Sequence, residues 1–166
     1  HAREFRALIQ SDPHRPIYHF TSPEGHCNPF DPNGAIFWKG KYHLGFIYQQ
    51  TRTEPVAVPG LEGGLKVSHV WGHAVSTDLV HWSLYPNMLD MSGEDIELGV
   101  FSGNAFLSKE GVPHIAYFGL GAKANLIARA VDDELRVWEK LGERGALKSP
   151  DGASAFDASV PYTVFD

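Results

Sequence analysis

The chain has 166 residues, of which 43% are hydrophobic and 20% are charged, and its formal net charge is −6. This length and composition indicate one globular domain with a hydrophobic core. No run of Lys or Arg offers a phosphate-binding stripe, so we expect no nucleic-acid partner, and the apolar stretches are too short to cross a bilayer, so we expect no membrane partner.

The N-terminal segment and the cysteine content leave the cellular compartment open. HAREFRALIQ, residues 1–10, lacks the apolar core of a signal peptide, but a processed terminus could have lost one. Cys27 is the only cysteine in the sequence, so an intramolecular disulfide is impossible. The localisation therefore remains unknown, with secretion and a cytoplasmic location both open.

The segment HCNPFDPNG, residues 26–34, holds a single acidic residue, Asp31. Its prolines, asparagines and glycine predict a solvated turn, because Pro fixes φ and because Asn and Gly tolerate positive φ. The segment nevertheless lies between aromatic, strand-like runs. Asp31 is therefore either a plain turn residue or a nucleophile held on a stiff backbone.

The run AIFWKGKYHLGFIYQ, residues 35–49, predicts a β-hairpin that turns at 39–40. Its second strand ends in Gln49, and Asn28 lies three residues before Asp31. A carboxylate with amide and aromatic groups nearby is typical of a sugar site, because planar polar groups bind hydroxyls and aromatic rings stack on the C–H face of the sugar.

A segment rich in Gly and Pro, TRTEPVAVPGLEGGLKV, follows this hairpin at 51–67. Such a composition is typical of a connection between strands. We predict a rim loop here, either mobile or poorly ordered.

Three histidines around WGHAVSTDLVHW invite a zinc interpretation: His69, His73 and His81. On a strand, His69 and His73 would lie about 13 Å apart, and the sequence has neither an H-E-x-x-H motif nor a cysteine pair. We therefore predict hydrogen-bonded histidines between packed strands, with no metal and no other cofactor. Asp78 is predicted to be a turn residue.

The segment GVFSGNAF, residues 99–106, places Phe101 and Ser102 between two glycines. Glycines in a strand mark a bulge or a close backbone approach. The spacing is not that of the G-x-S-x-G nucleophile elbow, so a serine hydrolase is excluded. The Phe-Ser pair is either part of a plain bulge or faces a ligand.

Two further segments complete an all-β prediction. NAFLSKEGVPHIAYFGL, residues 104–120, predicts a hairpin that turns at 109–111. ANLIARAVDDELRVWEKL, residues 124–141, predicts a strand, a tight turn and a strand, with a helical turn in its charged half as the alternative.

A weak internal repeat relates these elements. The two hairpins begin at Ala35 and Ala105, 70 residues apart, and each is followed by a segment with Asp, Leu and Trp, at 74–82 and 128–138. Such a repeat is typical of propeller blades. Because a propeller needs at least about four blades to close, we predict that residues 1–166 are the N-terminal portion of one propeller domain that is truncated at the C-terminus, with only two to three blades present.

The C-terminal segment offers further carboxylates. Asp157 follows Phe156, and Asp166 follows Phe165. Glycoside hydrolysis normally uses two carboxylates, one that attacks or stabilises and one that protonates the leaving oxygen. Spacing alone does not choose a partner for Asp31.

Taken together and in order, four segments resemble glycoside hydrolase family 32, the invertase and fructan-hydrolase family. These are RPIYHFTSPEGHCNPFDPNG, KGKYHLGFIYQQ, WGHAVSTDLVHW and VFSGNAF. The resemblance implies a five-bladed β-propeller that hydrolyses β-fructofuranosides, such as sucrose, fructo-oligosaccharides or fructans, with retention. It implies that Asp31 is the nucleophile and that Asp166 stabilises the transition state, with Asp157 as the alternative. The implied substrate-binding residues are Asn28, Gln49, Phe101, Ser102 and Phe165.

The resemblance also implies a general acid, a Glu in a Glu-Cys motif, that is expected beyond Asp166. No Glu-Cys occurs in the chain, so we expect these residues alone to be inactive; Glu97 is the candidate acid if they are not. Two other functions stay open. One is a carbohydrate-binding propeller that has lost its acid, and the other is an interaction domain without a sugar site.

Overall fold

The computed structural model describes residues 4, 7–8, 11–14, 27–58, 61–91, 97–120 and 124–142. Within these ranges no helix is long and apolar enough to cross a membrane. The strands are β1 (Cys27–Trp38), β2 (Lys41–Val58), β3 (Leu61–Ser76), β4 (Ser83–Leu89), β5 (Gly99–Leu107), β6 (Pro113–Leu120), β7 (Ala124–Ala130) and β8 (Trp138–Lys140).

The eight strands form two four-stranded sheets, ordered β1-β2-β3-β4 and β5-β6-β7-β8. All neighbouring strands are antiparallel. Consecutive four-stranded sheets of this kind are the blades of a β-propeller. The all-β, propeller-type fold is thus confirmed, whereas the number of five blades stays a prediction.

Both predicted hairpins are confirmed. The first turns at Lys39 and Gly40, whose φ angles of 45° and 81° suit a two-residue turn with left-handed backbone at both positions. In the second, Leu107 pairs with Pro113, and Gly111 provides the left-handed residue of the longer turn with a φ of 75°. The segment 124–141 is a strand, a turn and a strand, as predicted.

The rim loop predicted at 51–67 is wrong, because β2 and β3 continue through this segment as a long hairpin. Val56 pairs with Leu65 and Val58 with Leu61, after a register irregularity that begins at Thr51. Valines favour extended backbone, and the one internal proline of β2 lies within the irregularity, where no regular ladder bond is required.

The internal repeat is visible in the turns that follow β3 and β7. In each turn a leucine adopts a left-handed φ, 65° at Leu79 and 55° at Leu135. In each, the leucine carbonyl accepts a hydrogen bond from the indole three residues later, at 3.2 Å from Trp82 and 2.9 Å from Trp138. Asp78 is a turn residue as predicted, since its Oδ1 accepts from backbone N–H groups of its own turn. The shared local geometry supports two copies of one structural unit.

The main hydrophobic core lies between the two sheets and fixes their relative position. Burial of this apolar surface is the main force that holds one sheet on the other. Its buried members are Ile47, Trp71, Met88 and Leu89 from the first sheet and Val100, Ile115, Tyr117, Leu126 and Ala128 from the second.

Candidate active site

The candidate site is built on a bulged part of β1. Phe30 pairs with Ile47 and Pro32 with Phe46, and the register shifts between these pairs, so that Asp31 is the extra residue of a bulge. The predicted turn at DPNG is therefore wrong: the segment is an irregular strand. Gly34 has a φ of 54°, and a Cβ there would lie 2.7 Å from the ring of Trp71, so this position requires glycine.

Three consecutive residues of β5 bind the first sheet beside this bulge. One bond uses a side chain and two use the backbone, so the contact fixes the main chain of β5 as well as its serine. The three bonds are Ser102 Oγ–H to Asp31 Oδ2 (2.5 Å), Gly103 N–H to Asn33 Oδ1 (3.0 Å) and Trp71 Nε1–H to the carbonyl of Phe101 (3.1 Å).

The Asn33 side chain connects the backbones of the two sheets. It is 7% exposed, its Nδ2 donates to the Asp31 carbonyl at 2.6 Å, and its Oδ1 accepts from Gly103. Loss of this buried amide would leave the Gly103 N–H without its partner, which typically costs about 1–3 kcal/mol. Asn33 therefore holds the backbone of Asp31 in place against β5.

Gly103 lets β5 approach β6 closely enough for these contacts. A Cβ at this position would lie 2.0 Å from the Ala116 carbonyl oxygen, closer than any Cβ can approach. The β5–β6 register shifts between Val100 and Gly103. The predicted bulge is confirmed, and it turns Ser102 toward Asp31.

Asp31 is an accessible carboxylate that a hydrogen bond holds in place. The Asp31 side chain is exposed, and the Ser102 hydroxyl donates a hydrogen bond to Asp31 Oδ2. This hydrogen bond holds the carboxylate in one position against β5. An accessible and fixed carboxylate can attack an electrophilic carbon.

An amide and two aromatic rings contact His69, and the two rings, Phe30 and Phe101, are the chain neighbours of Asp31 and Ser102. Gln49 Nε2 lies 3.3 Å from His69 Nε2. The His69 ring lies 4.7 Å from that of Phe101 and 5.4 Å from that of Phe30, between centroids. Burial lowers the pKa of His69, so the neutral ring is favoured. This combination can stack on a sugar and bind its hydroxyls.

The three histidines of the zinc hypothesis lie in three different surroundings. His69 contacts Gln49, buried His73 lies 2.9 Å from His43 between ring nitrogens, and exposed His81 pairs with Asp78. In the part of the chain that the structure describes, no three His, Cys, Asp or Glu side chains are grouped to hold a metal ion. The expected absence of metal and cofactor stays a prediction.

Glu97 has a structural environment. Glu97 is 2% exposed. Its carboxylate accepts a hydrogen bond from the Tyr117 hydroxyl at 3.0 Å and forms an ion pair with Lys140 Nζ at 2.8 Å. A buried carboxylate engaged by two partners is held in the core and is not poised to protonate a leaving group.

The structure brings some predicted site residues together and leaves others outside the described part. Asp31 and Ser102 are in direct contact, and Gln49 and Phe101 both contact His69. The backbone of Asn28 lies on β1, but its side chain is outside the described residues. So are Asp157, Phe165 and Asp166.

Sequence reasoning missed Asn33, Trp71 and His69 as site residues. The composition around Asn33 predicts a turn, although a small amide next to a candidate nucleophile is also a typical hydrogen-bonding group. The segment around Trp71 draws attention to its histidines, and nothing in it singles out the tryptophan. For His69 no local signal existed, because its contacts depend on the register of β2, β3 and β5.

Comparison with known proteins gives the chain a family. Residues 19–160 match the model of the glycosyl hydrolases family 32 N-terminal domain. Among curated proteins, fructan 6-exohydrolase of Beta vulgaris is 35% identical over 144 residues, which cover 83% of this chain and 22% of that protein.

Solved structures give the same picture. Fructan 1-exohydrolase IIa from Cichorium intybus matches with a TM-score of 0.58 and 25% identity, covering 82% of this chain and 25% of that chain. β-Fructofuranosidase from Schwanniomyces occidentalis, complexed with fructosyl-erythritol, matches with a TM-score of 0.53 and 26% identity. The match covers 78% of this chain and 26% of that chain. The chain thus spans about a quarter of the length of these relatives.

Proposed function

Because the chain belongs to glycosyl hydrolase family 32, we propose that it supplies part of the active site of an enzyme that hydrolyses β-fructofuranosides with retention of configuration. The observation that carries the proposal is the fixed Asp31 carboxylate, which accepts the Ser102 hydroxyl at 2.5 Å where the two sheets meet. The name of each relative, an exohydrolase of fructan or a fructofuranosidase, supports a fructosyl-containing substrate.

In the proposed reaction, Asp31 attacks the anomeric carbon of the fructosyl unit. The bond to the leaving oxygen breaks, a covalent fructosyl-Asp31 ester forms, and water then hydrolyses the ester and releases fructose. Displacement by about 1 Å can lower such a rate on the order of a hundredfold. The bonds of Asn33 and Ser102 to Asp31 support the required fixed position.

The leaving oxygen must be protonated as its bond breaks, and general acid catalysis typically contributes about 10²–10⁴-fold. We propose that the acid is a glutamate that follows Asp166 and that Asp166 itself stabilises the transition state. Retention places the acid carboxyl about 5–5.5 Å from the nucleophile. Gln49, Phe101, Ser102, Asn28 and Phe165 are proposed to bind the fructosyl unit.

The test is fructose release from sucrose, inulin and levan by the full-length gene product and by its Asp31→Asn variant. We expect D31N to lose at least about 10³-fold in kcat, because the amide cannot form the ester. Asp133→Asn is the matched control, since Asp133 is exposed and pairs with Lys39 outside the site, and it should retain activity.

Equal activity of D31N and the unaltered protein would overturn the proposal. Binding of fructosides without hydrolysis by the full-length protein would support the carbohydrate-binding alternative. We expect the 166-residue chain alone to bind fructosides without cleaving them, because the proposed acid follows Asp166.

A further inference from the structure

His69 is the half-buried histidine of the site that no part of the proposed mechanism uses. It lies on β3, directly opposite Gln49 of β2 in the strand register. The groups that the structure places against it from β1, β2 and β5 are Phe30, Gln49 and Phe101, none of which is charged. The carboxylate of the same region is Asp31, next to Phe30 on β1.

The contact between Gln49 and His69 brings two nitrogen atoms together, at 3.3 Å between Gln49 Nε2 and His69 Nε2. The Nε2 group of a glutamine is an NH₂ and can only donate. The contact is therefore a hydrogen bond in the tautomer that accepts at Nε2, which is the neutral imidazole with its proton on Nδ1. Burial of His69 favours the same neutral form.

We propose that His69 is a positioning residue of the carbohydrate site: its neutral Nε2 fixes the orientation of the Gln49 amide, and protonation of the ring reverses that orientation. A protonated Nε2 carries a hydrogen and repels the NH₂ group, so the amide must rotate and present its oxygen to the ring. Before the rotation Gln49 offers its amide oxygen, an acceptor, to a sugar hydroxyl, and after the rotation it offers its NH₂ group, a donor. The consequence for sugar binding rests on the proposed function, whereas the coupling between His69 and Gln49 does not.

Two variants of His69 test the contribution of its hydrogen-bond acceptor separately from that of its aromatic ring. His69→Gln supplies a carbonyl oxygen that can accept from Gln49 at every pH. His69→Phe keeps an aromatic ring next to Phe101 but removes the acceptor. His81→Gln is the matched control, because the His81 side chain is 88% exposed and lies on the β3–β4 turn. Thermal unfolding of each variant establishes that it is folded.

The first arm needs no ligand. Nitrogen-15 NMR of the 166-residue chain follows the His69 ring and the Gln49 side-chain NH₂ group from pH 7.5 to pH 4. We expect a neutral His69 with the proton on Nδ1, and a Gln49 NH₂ shift that follows the His69 titration midpoint. In the H69Q and H69F variants this step should vanish, and in H81Q it should remain. A Gln49 signal that ignores His69 protonation would overturn the proposal.

The second arm measures the dissociation constant of methyl β-D-fructofuranoside over the same pH range. We expect the wild-type affinity to fall by about fivefold to tenfold through the His69 midpoint, as for loss of one hydrogen bond. H69Q should bind within about twofold of wild type at pH 7.5 and lack that fall, whereas H69F should bind weakly throughout. Any loss of affinity that H69Q shares with the wild type belongs to groups other than His69.

The two arms fail in different ways. NMR coupling without fructoside binding by any variant would support the positioning of Gln49 by His69 and overturn the proposed function. Fructoside binding with identical pH profiles for wild type and H69Q would overturn the role of His69 and leave the proposed function standing.

Discussion

The two sheets meet at two edges that are held by different forces. At the site edge, Phe101 and Gly103 of β5 bind the buried side chains of Trp71 on β3 and Asn33 on β1. At the hairpin edge, the β7–β8 turn covers the end of the β1–β2 hairpin with exposed ion pairs, Lys39 to Asp133 and Lys41 to Glu134.

The difference shows where this fold requires fixed geometry. Buried hydrogen bonds are costly to break, because the partner left behind is desolvated and unsatisfied. Exposed ion pairs contribute little, because water and salt compete with them. The edge that carries Asp31 therefore has the contacts that resist displacement, and the edge without a site has the weaker ones. Three substitutions test this contrast, and a pH profile tests a further buried polar contact within the first sheet.

The largest expected effect is that of Gly103→Ala at the site edge. The new Cβ would lie 2.0 Å from the Ala116 carbonyl oxygen, so β5 must move away from β6. We expect a loss of about 3–5 kcal/mol in the free energy of unfolding by urea denaturation. Gly111→Ala is the control: it has open space but a φ of 75°, and should cost about 1–2 kcal/mol. Equal losses would show that the close approach is unimportant.

Trp71→Phe should have the next largest effect. The variant loses the indole N–H that binds the Phe101 carbonyl at 3.1 Å and leaves space in the core, for a cost of about 2–3 kcal/mol. In Trp82→Phe the lost indole bond lies in the exposed β3–β4 turn and the side chain is only partly buried against the smaller core cluster, so that control should lose less than Trp71→Phe. Thermal and urea unfolding of both variants measure the two losses in unfolding free energy. A smaller loss for Trp71 than for Trp82 would contradict the contrast.

Acid should weaken the fold through the buried histidine pair of the first sheet. Burial lowers the pKa of His73 to about 3 from its ordinary 6.5, and the charges of His43 and Arg136 act in the same direction. The unfolded chain binds this proton first, so stability is complete above pH 6.5 and falls as the pH drops toward 3. We expect a loss of about 2 kcal/mol between pH 7 and pH 5 from this group.

Urea unfolding at several pH values measures this slope in the wild type and two variants. His73→Gln should flatten the profile, because the titrating group is gone. His81→Gln should leave it unchanged, since that side chain is 88% exposed. A wild-type profile that is level between pH 7 and pH 5 would show that His73 is protonated in the folded protein at no cost.

The local elements of the fold were predictable from the sequence because their signals are local. Lys39-Gly40 and Gly111 mark turns through their left-handed backbone, and the flanking residues alternate as strands do. The prediction of a loop at 51–67 was wrong because there the local signal is misleading. The Gly and Pro content of this segment indicates a connection, but pairing of Val56 with Leu65 across the hairpin outweighs composition.

The site was predictable only in part, because its geometry is built between sheets. The contact of Ser102 with Asp31 joins residues 71 positions apart, and only the resemblance placed them together. Asn33 is not predictable as a site residue, because an Asn-Gly pair already predicts a turn, whereas the buried amide has a role only once β5 is packed beside it. Such cross-sheet registers are not encoded in any short segment.

The smallest expected effect is that of Lys41→Met at the hairpin edge. Lys41 Nζ lies 2.5 Å from Glu134 Oε2, but the two side chains are 32% and 50% exposed, so the solvated ions lose little when separated. The change in unfolding free energy should be well below that of Trp71→Phe and should disappear in about 1 M salt, which screens exposed charges. Lys39→Met is the matched control, because it removes the neighbouring ion pair with Asp133.

A double-mutant cycle of Lys41→Met with Glu134→Gln isolates the coupling energy between Lys41 and Glu134. A coupling energy that persists at high salt would mean that the hairpin edge is held as firmly as the site edge.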